Sequence, residues 1–487
     1  MTDPTLPDIL RQRFGHEALY PLQERIIARV MQGGDALVVM PTGSGKSLCY
    51  QLPALALPGA GTTLVLSPLI ALMEDQVSAL QGKGVRAEYI NSTLSRQERA
   101  RRQRKLARGE YELIYATPER MTKPEFVEAI QPVGVKLLAV DEAHCISKWG
   151  HDWRPTYSDV GEFRELLRAP TTIALTATAT AEVRDDILRV LRLDHEAMPT
   201  FASGIERPNL AMEVRDVWDD RDKVEAIREL VESPAGAGTG IIYFALIKDL
   251  DRFATLLKDV LPGPMEIYHG QLSAGKKKRI YDRFIESPPE ERLTLLATNA
   301  FGMGVDKPDI RFIAHAQTPG SVEAYYQEIG RAGRDGEPAR CELLYSQDDL
   351  AIQQTFIDWA NPSADMLVQA CEFARDDSHA DGFTVDELRE VIIHKNRGDR
   401  RAEFTAIALE RLGVIEPTSI EGRYRVAEDL AAARGEGASV AHDIDALFDP
   451  ERIAAKKQRD LERLLQMVQL TRERADVAGF LRTYFAL

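Results

Sequence analysis

No apolar run in the 487 residues approaches the roughly 20 that a membrane-spanning helix needs, and the amino terminus lacks the basic-then-apolar pattern of a secretory signal. The expectation is a cytoplasmic protein with no membrane partner. Cysteine is scarce. Cys49, Cys145, Cys341 and Cys371 are scattered without a CxxC pair or regular spacing, which argues against both a disulfide framework and a zinc cluster. Positive charge is also in short supply. With 61 Lys and Arg against 76 Asp and Glu, a net charge of -15, the chain cannot coat nucleic acid by bulk electrostatics, so any phosphate contact must be local. Two basic runs remain, Arg96 to Arg108 and Lys276-Lys277-Lys278-Arg279, both in expected helices. Each reads as a solvated helix face at least as readily as a DNA contact.

What is present begins with length for about three domains and 44% hydrophobic residues, enough for sizeable cores. The chain is organised around Asp141 to Pro155, which follows the apolar run Val135 to Val140. That run reads as a buried parallel strand, so Asp141 and Glu142 emerge at its carboxyl end, where open α/β sheets bind ligands. Paired carboxylates there suit a magnesium ion and an attacking water. Just beyond stand Trp149, His151, Asp152, Trp153 and Arg154, a composition that can stack on bases and hold phosphates. The rival reading makes Trp149 and Trp153 core residues wedged under the sheet.

Upstream, the strand pattern Ala36 to Met40 runs into Pro41-Thr42-Gly43-Ser44-Gly45-Lys46-Ser47 and then a helical pattern. Glycines let backbone N–H groups turn inward around phosphates, Lys46 brings charge to the terminal phosphates, and Ser47 offers a hydroxyl to magnesium. Met40 stands where the strict GxxxxGK[ST] pattern has its first glycine, a departure that resembles the helicase variant of this loop. Further strands, at Thr63 to Leu66, Leu113 to Ala116 and Thr172 to Leu175, alternate with helices, which means a parallel sheet covered on both faces. Ser67, Thr117, Thr176 and Thr178 collect at the strand ends. They read as a track for a phosphate backbone, with turn chemistry as the plainer alternative.

After Asn209 the alternation restarts with strands at Gly240 to Phe244, Glu266 to His269, Leu293 to Thr298 and Phe312 to His315. This second domain has no glycine-lysine loop. It carries Arg331 and Arg334, expected one helical turn apart on a common face and so able to reach one target. Guanidinium groups offered to a neighbour's triphosphate stabilise a transferring phosphoryl; the commoner fate of such pairs is to bind surface carboxylates.

Gln23, PTGSGKS from Pro41, SPLIALMEDQV from Ser67, DEAH from Asp141, LTATAT from Leu175, ATNAFGMGVDKPDI from Ala297 and QEIGRAGRDG from Gln327 stand in the order of a superfamily 2 helicase. With CISKWGHDWRPTY after DEAH, the chain resembles the RecQ DNA helicases over about residues 10 to 350. The resemblance implies two RecA-like parallel-sheet domains clamping ATP, adenine recognition by Gln23, triphosphate binding by Thr42 to Ser47, and magnesium held by Ser47 and Asp141. It also implies water activation by Glu142, arginine fingers at Arg331 and Arg334, and a ribose or coupling contact near Asp306. Trp149 to Arg154 match a loop that couples DNA binding to hydrolysis, with Trp153 in place of the usual phenylalanine. Tyr20 replaces the usual arginine three residues before Gln23, which keeps a ring for adenine and removes a charge.

Beyond Tyr345 the family's four zinc-binding cysteines are missing. The stretch Met467 to Phe485 is similar to the closing helix of that zinc platform, with Asp476 in the first cysteine's place, so no zinc is expected. Before it, a capping box at Thr384 to Glu387, a helix from Arg400 to Leu412 ended by Gly413, and a hairpin about Glu421-Gly422-Arg423 read as a winged helix. Its acidic flanks, Asp376-Asp377 and Glu436 to Asp445, favour packing or a protein partner over DNA.

The expected domains are residues 1–205 and 206–345, both RecA-like, a helical connector 346–378, a winged helix 379–430 and a helical segment 440–487. The implied activity is ATP-dependent unwinding of DNA by 3′ to 5′ movement on a single strand, in repair or recombination. The alternatives are a nucleic-acid-stimulated translocase or RNA helicase, and an inactive scaffold; the scaffold would require loss of Lys46, Glu142 or Arg331, all present.

Overall fold

The structure is a computed structural model, which describes residues 5–41, 43–91, 93–147, 157, 159–204, 206–302, 305–379, 381–393, 399–411, 414–418, 422–427 and 450–485. Contacts divide the chain into two compact units: Met1–Gln317, Glu323–Tyr345 and Leu470–Leu487 form the first, and Thr318–Val322 with Ser346–Gln469 the second.

The first unit holds two parallel sheets. Strands β1 (Ala36–Val39), β2 (Thr62–Leu66), β3 (Ala87–Ile90), β4 (Leu113–Ala116), β5 (Val135–Val140), β6 (Thr171–Thr176) and β7 (Thr200–Ala202) lie in the order β3-β4-β2-β5-β6-β1-β7. Their central members are continuous apolar runs because both faces are buried. Side chains alternate between those faces, so Leu37, Val39, Leu64 and Leu66 enter one core with Phe126 and Phe163. Ala36, Val38 and Val65 enter the other, with Ile26, Ile27 and Tyr50. Val39 is level with Thr176, and Val140 with Ala174 of the same β6. The ends of β1 and β5 therefore open on one edge, two strands apart.

The second sheet consists of β8 (Leu210–Asp216), β9 (Thr239–Tyr243), β10 (Met265–Tyr268), β11 (Thr294–Ala297), β12 (Ile310–His315) and β13 (Ala339–Tyr345), ordered β10-β11-β9-β12-β13-β8. The sequence pattern misses β3, β7, β8 and β13. In β8 and β13 charged residues interrupt the apolar pattern and pair across the strands: Arg215 Nε lies 2.8 Å from Glu342, and Arg340 Nη2 lies 3.0 Å from Glu213. A terminal helix, Val477–Phe485, completes this unit. Phe485 is buried with its ring 5.2 Å from that of Tyr326, and Tyr484 donates to Glu323 Oε1 at 2.7 Å. Asp476 Oδ1 accepts the Gly479 N–H at 2.7 Å and so caps this helix.

The second unit contains helices Asp348–Ala360, Ala364–Arg375, Val385–Ile392, Arg401–Arg411 and most of Pro450–Arg472. It also holds a small antiparallel sheet of β14 (Phe383–Thr384), β15 (Ile415–Pro417) and β16 (Arg423–Val426), ordered β14-β16-β15. The capping box forms: Glu387 N–H donates to Thr384 Oγ1 at 3.2 Å, and Thr384 N–H to Glu387 Oε2 at 2.6 Å. Leu412, Gly413, Glu421 and the flank 436–445 lie outside the described residues. Among the described residues no group of three or more His, Cys, Asp or Glu could hold a metal, and no helix is long and apolar enough to cross a membrane.

Candidate active site

The loop after β1 is shaped by Gly43 and Gly45, both left-handed at φ +78° and +76°. A Cβ at Gly45 would also come within 2.5 Å of Gln23 Nε2, so glycine is required there on two counts. Gln23 is almost fully buried. Its Nε2 donates to the Ser44 and Gly45 carbonyls, each at 3.3 Å, while its Oε1 accepts the Tyr20 N–H at 3.0 Å. One side chain thus caps the helix Pro21–Met31 and clasps the phosphate loop. Tyr20 presents its ring to solvent, 71% exposed, and Thr42 lies outside the described residues. Ser44 Oγ donates to the Pro41 carbonyl at 2.5 Å, and Lys46 Nζ donates to the Met40 and Pro41 carbonyls at 2.9 and 3.0 Å. Ser47 begins the helix Leu48–Ala56, so its hydroxyl sits at a helix amino terminus.

Asp141 extends the β5 ladder, its N–H donating to Leu66 O at 2.8 Å, and its Oδ1 accepts the Glu142 N–H at 3.0 Å. Glu142 then takes φ 48°, ψ 48°. A left-handed non-glycine residue costs on the order of 1 kcal/mol or more, and such strain gathers at functional sites. Glu142 Oε2 lies 3.3 Å from His144 Nδ1, which is 3.0 Å from Thr176 Oγ1. The Thr176 hydroxyl donates to Thr178 O at 2.9 Å, so Nδ1 of His144 is the donor between them. Burial, then the neighbouring Glu142, pushes the Asp141 carboxyl above its ordinary range, with Lys46 opposing. Burial likewise lowers the Lys46 ammonium, which Glu142 and Asp141 pull back up. A glycine cradle, an ammonium and two carboxylates on one sheet edge fit a triphosphate with a divalent cation.

The arginines depart from expectation. The helix Val322–Ile329 ends before them, and Arg331 and Arg334 occupy the turns that follow, where Gly333 at φ +54° redirects the chain. Their donors go to different acceptors, although each lies close enough for its charge to act on Tyr243 and for Arg331 to act on Arg334. Arg331, 5% exposed, donates to the Gly302 carbonyl and interacts with Tyr243, whose hydroxyl donates to Phe301 O at 3.0 Å. Arg334 lies against the phosphate loop, where a Cβ at Gly43 would meet its Cδ at 3.0 Å. Its Nη1 donates to Val305 O and to Asp306 Oδ1, both at 2.7 Å, with Asp306 largely exposed. Asp306 thus holds Arg334 from the solvent side.

Ser67, Thr117, Thr176 and Thr178 are all buried, and the Thr176 hydroxyl is turned to His144 and Thr178. A strand-end position does not determine which way a hydroxyl points. Trp149, His151, Asp152, Trp153 and Arg154 lie outside the described residues. In the basic runs, Arg101 and Arg102 are bound to Glu98, and Lys278 lies 3.1 Å from Asp282. His144 and Tyr243 were missed as site residues. Only the place of His144, two residues after Glu142 in Asp141-Glu142-Ala143-His144, hinted at it.

A family model described as DEAD/DEAH box helicase matches residues 20–187, and one described as helicase conserved C-terminal domain matches residues 222–336. The ATP-dependent DNA helicase RecQ of Bacillus subtilis is 45% identical over 354 residues, covering 72% of this chain and 58% of that protein. The probable ATP-dependent DNA helicase RecS of the same organism is 38% identical over 400 residues, covering 82% of this chain and 78% of RecS. The chain belongs to the RecQ family of ATP-dependent DNA helicases. It spans less than two thirds of the length of the RecQ relative and more than two thirds of RecS. Among solved structures, the DUF1998 helicase MrfA bound to DNA matches with a TM-score of 0.58 at 18% identity, covering 88% of this chain and 60% of MrfA. Likeness at that identity speaks for the fold, two RecA-like sheets, which RecQ-family membership also implies.

Proposed function

We propose that this chain is an ATP-dependent DNA helicase that moves 3′ to 5′ on single-stranded DNA and opens adjoining duplex, acting in the cytoplasm in repair or recombination. The observation that carries the reading is Arg334, in the turns between β12 and β13 of the second sheet, lying against Gly43 in the phosphate loop after β1, with Asp141 and Glu142 on the same edge as that loop. In this reading Lys46 holds the terminal phosphates, Ser47 and Asp141 hold the cation, and Glu142 orients the attacking water. Gln23 reads adenine, Tyr20 offers its exposed ring to the base, and Asp306 serves the ribose or the Arg334 contact. Magnesium, when bound, supplies charge neutralisation between the phosphates. The test is strand separation on tailed and forked DNA and RNA duplexes, with ATP turnover recorded with and without each strand. DNA-stimulated turnover without unwinding would instead make the protein a translocase.

Trp149 to Arg154 are assigned to coupling, because they follow Glu142 on one short connection and a base stacked on an aromatic contributes roughly 1 to 3 kcal/mol. Trp153→Ala and Arg154→Ala are expected to fold, keep basal ATP turnover and lose DNA stimulation. A lowered melting temperature with both activities lost would place Trp153 in the core instead.

For the second unit a winged helix is proposed, with a protein rather than DNA as its contact. The exposed positions of the helix Arg401–Arg411 include Ile407 and Glu410, which do not suit phosphates. No zinc is assigned to the chain, on the missing cysteine cluster and the capping role of Asp476. Elemental analysis of purified protein is expected to find no stoichiometric zinc; about one per chain would defeat this assignment.

A further inference from the structure

The helix Val477–Phe485, which the reading above leaves without a role in turnover, touches the domains of both sheets in the first unit. On the side of the first sheet, Arg184 of the helix Ala181–Val190 donates from Nη1 to two carbonyls, Ala179 O at 3.1 Å and Phe485 O at 3.3 Å. On the side of the second, the Tyr484 hydroxyl donates to Glu323 Oε1 at 2.7 Å, and the fully buried Phe485 ring lies 5.2 Å from that of Tyr326. Glu323 and Tyr326 are themselves buried and belong to the helix Val322–Ile329. Arg482 adds an exposed ion pair, 3.1 Å from Glu206 in the connection between the sheets, of the kind that contributes little by itself.

The elements gripped are those that back the two halves of the nucleotide site. Ala179 stands three residues after Thr176, whose hydroxyl meets the His144 ring beside Glu142. The helix Val322–Ile329 runs into the turns that carry Arg331 and Arg334. Packing against the second sheet's domain accounts for the Phe485 ring. It does not account for Arg184, which comes from the first. Adjacent residues, Tyr484 and Phe485, thus hydrogen-bond to opposite partners, and a contact that spans two bodies raises the population of the state in which they stay together.

We propose that Arg184 and Tyr484 are positioning residues, and that the helix Val477–Phe485 is a clasp between the two sheets that keeps Arg334 at the phosphate loop during turnover. This inference rests on the reading of Arg334 as acting on the phosphates.

The experiment measures the separation of the sheets directly, beside steady-state ATP turnover. Spin labels are placed on Glu128→Cys and Lys258→Cys, exposed positions in the domains of the first and second sheets; the four native cysteines are buried. Distances are read by double electron–electron resonance in magnesium with a non-hydrolysable ATP analogue. The parent is expected to give one narrow distance. Arg184→Ala and Tyr484→Phe are each expected to add a second distance and to lower kcat about fivefold, the usual worth of one hydrogen bond, with KM for ATP shifting less. Arg184→Lys can still donate to both carbonyls and should restore most of the loss. A parental distance or a parental kcat in both Arg184→Ala and Tyr484→Phe overturns the proposal; a lower melting temperature as their one effect would reduce the helix to packing. Arg334→Ala separates the two levels. If it turns over as the parent does, the reading of Arg334 fails and the proposal with it; if it is slow while Arg184→Ala and Tyr484→Phe keep the parental distance, the proposal alone falls.

Discussion

Glu142→Gln is expected to bind ATP as the parent does and to hydrolyse it about a hundredfold to ten-thousandfold more slowly, the usual worth of a positioned proton acceptor. The substitution conserves volume and leaves the His144 Nδ1–H on Thr176 Oγ1 as it is, so the left-handed backbone should survive. What disappears is the capacity to draw a proton from water. Lys46→Ala is the contrast. Its ammonium is fixed on the Met40 and Pro41 carbonyls at the base of the loop, and its removal should cost nucleotide affinity as well as turnover. Equilibrium binding of a fluorescent nucleotide beside phosphate release separates the two behaviours. Near-parental hydrolysis by Glu142→Gln would remove it from the water-activating role and leave Asp141 as the carboxylate to examine.

How far the sequence foretold this site depended on whether one element or several determine the geometry. The phosphate loop and the Asp141-Glu142 pair were legible because each follows an apolar run buried on both faces, and parallel pairing brings the ends of such strands to one edge. Strands β8 and β13 were not, since a buried carboxylate such as Glu342 looks like a surface position until Arg215 is found opposite. The arginines failed for a different reason. Helical spacing was extended through Gly330 and Gly333, yet the helix stops at Ile329 and the turn sends Arg331 and Arg334 to different partners. For the Thr176 hydroxyl, a strand-end position leaves open whether a side chain faces solvent or His144. The capping box and hairpin of the second unit were legible because both are local, carried by residues close in sequence.

The different acceptors of the two arginines lead to the second large effect. Arg334→Ala is expected to lower kcat about a thousandfold or more while changing ATP affinity far less, because a guanidinium beside the phosphate loop acts on charge that develops only in the transition state. Arg334→Lys keeps the charge but loses the planar guanidinium whose Nη1 donates to both Val305 O and Asp306, and should recover little of that loss. Arg331→Ala should behave differently. Its guanidinium is buried on the Gly302 carbonyl and beside Tyr243, so removal leaves a buried acceptor unpaired, at a cost of about 1 to 3 kcal/mol. A lower melting temperature should accompany any loss of turnover, and Tyr243→Phe, which frees the Phe301 carbonyl on the same loop, should reproduce part of it. Thermal unfolding beside steady-state kinetics decides the matter. If Arg331→Ala melts with the parent and loses kcat as steeply as Arg334→Ala, both arginines reach the phosphates during the cycle, and the turn after Ile329 must rearrange when nucleotide binds.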